Sequence, residues 1–227
     1  MSATSATLAD LVRRPSVNPM GRDLSGPEYL EGRVTDYLVQ RFAAAGVPWV
    51  RQSVAPGRDN VVARLAATVP DAPTILWDAH QDTVPAEGMT IEPFTPLVRD
   101  GRMYGRGACD VKGGMAAMLA ALDHLRQSPL PRRATILFSA TVNEEFGFSG
   151  ARALARLWGD QPPVPADDAA RRLVGGRPVA AVVAEPTDLD LVLQHKGAVR
   201  WRIRMVPKRV LALMDCGRYC SALGASG

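Results

Sequence analysis

Cysteine is nearly absent: Cys109, Cys216 and Cys220 form an odd set with no framework, which excludes a fold held together by disulfides. Long apolar runs are missing too. Met115 to Leu122 and Val179 to Ala184 fall far short of the roughly 20 residues a membrane span needs, and MSATSATLADLVRR lacks a signal-peptide core. These absences set the expectation of a cytoplasmic protein with no membrane partner. Lysine is confined to Lys112, Lys196 and Lys208 among 27 basic residues, the bias of a GC-rich gene. No basic stripe interleaved with aromatics occurs. Half of the formal +4 charge comes from residues 205–227, where Lys208, Arg209 and Arg218 face only Asp215. Nucleic-acid binding, which the pI of 9.2 invites, is therefore the weakest functional reading, and no nucleic-acid partner is expected.

What the chain does have is 47% hydrophobic content over 227 residues, enough to bury one large core. Residues 28–45 carry apolar positions at helical spacing and stop at Gly46. Strands are expected near 48–53, 60–66 and 74–79, the last an almost continuous apolar run of the kind found in a covered sheet. A short hairpin around Asp100-Gly101 over 97–104, helices over 112–126 and 150–157, and strands over 134–141 and 179–184 complete the pattern. Residues 161–178 read as a surface excursion. Strands alternating with helices predict an α/β fold, a mixed and mostly parallel sheet covered by helices on both faces.

In such sheets the functional crevice lies beyond the carboxyl ends of the strands. Four polar clusters are expected there: His80 with Asp82, then Asp110, then Glu144 with Glu145, then Glu185. If the chain stays extended past Ala79, His80 and Asp82 share a side, so the Asp82 carboxylate can hold one ring nitrogen while the other binds a cation. Asp110 lies among Gly105, Gly107, Gly113 and Gly114 before a helix, either as a simple helix-start carboxylate or as a ligand bridging two cations. Glu144 and Glu145 are adjacent, and adjacent side chains diverge. One can bind metal while the other faces substrate as a general base. Glu185 repeats the strand-end pattern before Pro186. Asp78 stays unassigned, Cys109 reads as a small packing residue, and neither His124 nor His195 is expected to be a ligand.

DAHQDTVP, GRGACDVKGGMAA, ATVNEEFGFSGA and VAEPTDL, in this order, resemble the metal-dependent amidohydrolases and peptidases of the M20 family, such as acetylornithine deacetylase and succinyl-diaminopimelate desuccinylase. The resemblance runs from about Leu11 to about Met205. It implies a zinc-peptidase-like catalytic domain and two Zn2+ ions, for which Co2+ can substitute. His80, Asp110 and Glu185 would hold one ion, and Asp110 and Glu145 the other. Glu144 would be the general base, and Asp82 the orienting partner of His80. The implied reaction is hydrolysis of a peptide or N-acyl amino-acid amide bond by a water activated between the zincs. The partner would be a small N-acyl amino acid or short peptide. The resemblance also implies a cis peptide at Asp110-Val111.

The departure from the family pattern sets further expectations. Residues 1–192 would be the N-terminal part of the catalytic domain, 193–206 a first lid-domain-like strand, and 207–227 an unassigned tail. No Gly-x-Ala-x-His segment follows. The tail from about Val206 is expected to be a frameshift or truncation product, leaving most of the lid and the C-terminal return missing and the second zinc site incomplete. The alternative function is a non-catalytic metal-binding or partner-binding remnant.

Overall fold

The computed structural model describes residues 2–159 and 167–193, so all but the first residue of the expected strand over 193–206, the tail, His195, Cys216 and Cys220 lie outside the described residues. All elements below belong to the unit that ends at Asp190. In chain order they are α1 (Ala3–Val12), α2 (Gly32–Ala45), β1 (Trp49–Ala55), β2 (Arg58–Leu65), β3 (Thr74–His80), β4 (Leu97–Arg99), β5 (Arg102–Tyr104), α3 (Lys112–Gln127), β6 (Thr135–Thr141), α4 (Ser149–Ala155), α5 (Asp168–Val174) and β7 (Ala180–Val183).

Five strands form one sheet in the order β1-β2-β6-β3-β7, and β4 and β5 make a separate hairpin. β3 runs parallel to both β6 and β7, while β2 is antiparallel to β6 and to β1, so four of the five strands point the same way. This is the mixed, mostly parallel sheet that the alternation of elements predicts. From β3 the chain crosses through α3 to β6 on one side, then returns through α4 and α5 to β7 on the other side of β3. Right-handed crossovers in opposite directions must leave on opposite faces. Accordingly α1, α2 and α3 bury Leu11, Leu38, Phe42, Met115 and Leu119 against Phe138 and Val61 on one face. α4 and α5 bury Leu154, Ala170 and Val174 against Val62 and Leu137 on the other.

Local chemistry explains the element ends. α2 stops at Gly46, whose φ of +65° gives the left-handed cap that closes the last turn. Its start is later than the expected residue 28, because Leu30 takes φ +61° and Tyr29 bridges to Val17. Gly114 in α3 lets the helix approach closely: a Cβ there would meet Ala184 Cβ at 2.6 Å. That approach sets the start of α3 against the end of β7.

One expectation is corrected, and two features go beyond what was expected. The stretch 161–178 is not wholly a surface excursion, since α5 buries Ala170 and Val174 in the core. Those two residues lie four apart on one helix face, too short a pattern to stand out among charged neighbours. A helix also precedes the first predicted one: α1 is opened by Ser2, whose side chain accepts from the Ser5 amide. Finally, the apolar runs of β3 and β7 are not equally covered. β6 is buried at every position, β3 is half-buried until Ala79 and His80, and β7 is exposed throughout.

Candidate metal centre

Because β3, β6 and β7 are parallel, their carboxyl ends lie on one edge of the sheet. His80 ends β3, Glu144 and Glu145 follow β6, and Glu185 follows β7. Asp110 comes from elsewhere. It sits in the turn after the β4–β5 hairpin, two residues before α3, and not at a strand end as expected. The Asp110-Val111 peptide is cis.

His80 is the hub. Its ring is buried, with Nδ1 2.9 Å from the backbone carbonyl of Asp82 and Nε2 3.0 Å from Asp110 Oδ1. The expected orienting bond to the Asp82 carboxylate is thus replaced: Asp82 Oδ1 is 3.7 Å from Nδ1, and the carbonyl is the acceptor. The chain turns after His80, which brings the main chain of residue 82 under the ring. Nδ1 donates to that carbonyl, which leaves Nε2 as the nitrogen facing the carboxylates. Glu185 Oε1 lies 3.9 Å from Nε2.

Two sets of ligand-type atoms, each set within 4.8 Å, share His80: one is His80, Glu144 and Glu145, the other His80, Asp110 and Glu185. The expected divergence of Glu144 and Glu145 is therefore corrected. Alternation of adjacent side chains holds in an extended strand, whereas here Asn143 takes φ +61° and the pair sits in a tight turn. The histidine, rather than Asp110, is common to the two sets.

The Asp82 carboxylate has other partners. It accepts from the Glu144 amide at 3.0 Å, the Glu145 amide at 3.1 Å and Asn18 Nδ2 at 2.7 Å. Glu31 and Arg58 form a buried ion pair behind the same turn. The Glu31 carboxylate accepts from the Asn143 amide at 3.2 Å, and Arg58 Nη1 donates to Asn143 Oδ1 at 3.1 Å. Asn18, Glu31, Arg58 and Asn143 were not predicted from sequence. Only Asn143, directly before the paired glutamates, carried a local signal.

Electrostatics fit a cation. Burial, then the neighbouring Asp110 charge, pushes Glu145 up to about 7 from an ordinary 4.5. Burial likewise raises Glu185 to about 7, against the pull of His80. Burial alone would lower the His80 imidazole; the bond to Asp110 and the Asp82 and Glu185 charges overcome this and raise it to about 9. Without a cation Glu145 and Glu185 hold their protons more tightly than usual, while the bond to His80 lowers Asp110. An imidazole with carboxylates is the donor set that suits zinc and similar divalent ions. Asp78, unassigned from sequence, lies beneath the site, where it accepts from the Ser139 and Thr141 hydroxyls and is pushed up to about 6 by burial. Lys112 is buried with Nζ donating to the Arg14 carbonyl at 2.8 Å, tying the segment after α1 to the start of α3. Cys109 is exposed, which corrects its expected packing role, and His124 is exposed on α3.

The fold and donor set define an α/β protein with a candidate divalent-cation site at the carboxyl edge of a mixed sheet. A family model described as "Peptidase family M20/M25/M40" matches residues 76–206, and the chain belongs to that family. It is 34% identical over 170 residues to a succinyl-diaminopimelate desuccinylase of Verminephrobacter eiseniae, a match covering 68% of this chain and 40% of that protein. The crystal structure of the aminopeptidase PepT from Bacillus cereus is similar at 27% identity and a TM-score of 0.55, over 68% of this chain and 40% of the other. An M20 family metallo-carboxypeptidase from Sulfolobus solfataricus shares the fold, with a TM-score of 0.60 at 19% identity, covering 81% of this chain and 37% of that one. The chain spans about two fifths of the length of the relatives it matches.

Proposed function

We propose that residues 1–192 are part of the catalytic domain of a divalent-cation-dependent hydrolase that cleaves a peptide or N-acyl amino-acid amide bond, working in the cytoplasm on small substrates. The observation that carries this reading is the pair of ligand sets sharing His80. His80, Asp110 and Glu185 would hold one zinc ion, and Glu145 would contribute to a second. Bound there, zinc would polarise the scissile carbonyl and lower the pKa of an attacking water.

The chain's own groups supply the rest. The Nδ1–H bond to the Asp82 carbonyl fixes the His80 tautomer, so that Nε2 is free to donate its lone pair once its proton leaves. Glu144 takes the proton from water as it attacks the amide carbon and returns it to the departing amine nitrogen. The Asp82 carboxylate holds the amides of residues 144 and 145, and so keeps base and ligand aimed at one point. A carboxylate serves this proton transfer because it can both accept a proton and return it.

Glu144→Gln tests the assignment. The variant keeps the size of the side chain but loses the proton acceptor, so turnover of an N-acyl amino acid should fall by at least about 100-fold. Zinc uptake, measured on the same sample by competition with a chromogenic chelator, should change little. Retained turnover would remove Glu144 from the role of base. Zinc uptake with no turnover in either protein would favour a metal-binding remnant.

A further inference from the structure

Three successive backbone amides approach the site from beneath, and each ends on a buried carboxylate. Asn143 N–H donates to Glu31, and the Glu144 and Glu145 N–H groups donate to Asp82. Asn143 holds a left-handed backbone at φ +61°, a conformation that a non-glycine residue keeps only when its surroundings fix it. Its side chain is fixed from two sides: Asn18 Nδ2 donates to Oδ1 at 2.9 Å and Arg58 Nη1 at 3.1 Å. Asn18 Nδ2 also donates to Asp82 Oδ2, which links that carboxylate to the Asn143 side chain.

We propose that Asn18, Glu31 and Arg58 are positioning residues for the Glu144–Glu145 turn, a claim that rests on the assignment of Glu144 as base and Glu145 as metal ligand. The accessibility of these groups assigns them to positioning. Asn18 and Glu31 are fully buried, and the Arg58 side chain is only 12% exposed, so the first two meet no substrate. A buried ion pair is also a poor source of stability, because desolvation of two charges offsets their attraction. What Glu31 and Arg58 do instead is deliver one acceptor and one donor to Asn143. Both glutamates point to His80 because that residue stays left-handed. If Asn143 left the left-handed region, the segment that carries both carboxylates would swing away from His80 as a unit.

The test is amide hydrogen exchange in the metal-free chain, compared among wild type, Arg58→Met, Arg58→Lys and Asn18→Ala. Arg58→Met and Asn18→Ala should accelerate exchange at Asn143, Glu144 and Glu145 by roughly tenfold or more, with the β6 amides from Ile136 to Ala140 unchanged. Arg58→Lys, which keeps the charge but not the planar fork, should fall between wild type and Arg58→Met. Zinc affinity should weaken in the same order. Wild-type exchange at residues 143–145 in folded Arg58→Met and Asn18→Ala would overturn the proposal. So would an equal acceleration throughout β6, the signature of a merely structural role. If Arg58→Met does not fold, Asn18→Ala decides alone. Exchange is read without metal, so a wild-type chain that takes up no zinc would refute the metal-site assignment while leaving the exchange comparison readable.

Discussion

His80 and Asp82 stand where the sheet is covered, with side chains 2% and 0% exposed, while the Asp110 and Glu185 groups that face His80 are 52% and 39% exposed. The same contrast runs through the strands beneath. β6 buries all seven residues of TILFSAT, whereas β7 leaves all four of AAVV exposed among the described residues. Both are apolar runs that end at acidic residues. The difference shows that an apolar pattern marks a strand, and that the elements packed on it decide how much stability it contributes. Preorganisation of the site follows coverage. The covered half has its ring, carboxylate and backbone amides tied by hydrogen bonds, and the open half has two carboxylates set close to one imidazole nitrogen.

The largest expected effect separates the strands. Phe138 is fully buried and its ring packs 5.5 Å from that of Phe42, so Phe138→Ala should cost about 3–5 kcal/mol in urea unfolding. Val182→Ala on β7, at a residue 49% exposed, should cost less than about 0.5 kcal/mol. Equal losses would erase the contrast. A smaller difference separates the halves of the site. Asp82→Asn turns one buried acceptor into a donor that faces other donors, and should destabilise by about 1–3 kcal/mol. Asp110→Asn, half exposed, should stay within about 1 kcal/mol.

A third comparison is the pH dependence of the metal-free chain. Glu145 and Glu185 are raised from 4.5 to about 7, and His80 from 6.5 to about 9. Each group binds its proton more tightly folded than unfolded, so stability is greatest below the unfolded pKa and falls as pH rises through the folded one. The two glutamate windows coincide, and the melting temperature should decline from about pH 4.5 to about pH 7; above that His80 continues the decline while buried Lys112, lowered to about 7, opposes it. Asp110, lowered from 3.8, opposes this only at more acidic pH. Saturating zinc should flatten the decline, because ligation requires the deprotonated groups. A metal-free chain that grows more stable over this range would show that the open half does not crowd its charges.

Much of this was legible in the sequence because it is local. The period of the apolar residues gave β3, β6, α3 and their order, and strand-end placement gave His80, Glu144, Glu145 and Glu185 as neighbours. Asp110 was named for its glycine-rich surroundings, although it arrives from a turn before a helix. What remained hidden was non-local. Nothing near Glu31 or Arg58 announces a partner at Asn143, 112 and 85 residues away. The swing of the Asp82 carboxylate to the amides of residues 144 and 145 depends on a turn that periodicity does not describe. The exposure of β7 could not be read from VAAVVA, since coverage belongs to the rest of the sheet.

The central claim is that His80 joins two sets of carboxylates into one cation site. Its most direct test is a zinc titration of the metal-free chain by calorimetry in two buffers of different ionisation enthalpy, with wild type and His80→Ala side by side. Wild type should bind zinc with release of protons at pH 7, since His80 is raised to about 9 and Glu145 and Glu185, raised to about 7, are partly protonated there. His80→Ala should lose more than about 100-fold in affinity, above the 10–100-fold effect of altering a group behind a ligand. Zinc binding of equal strength in His80→Ala, or no binding in wild type, would contradict the account.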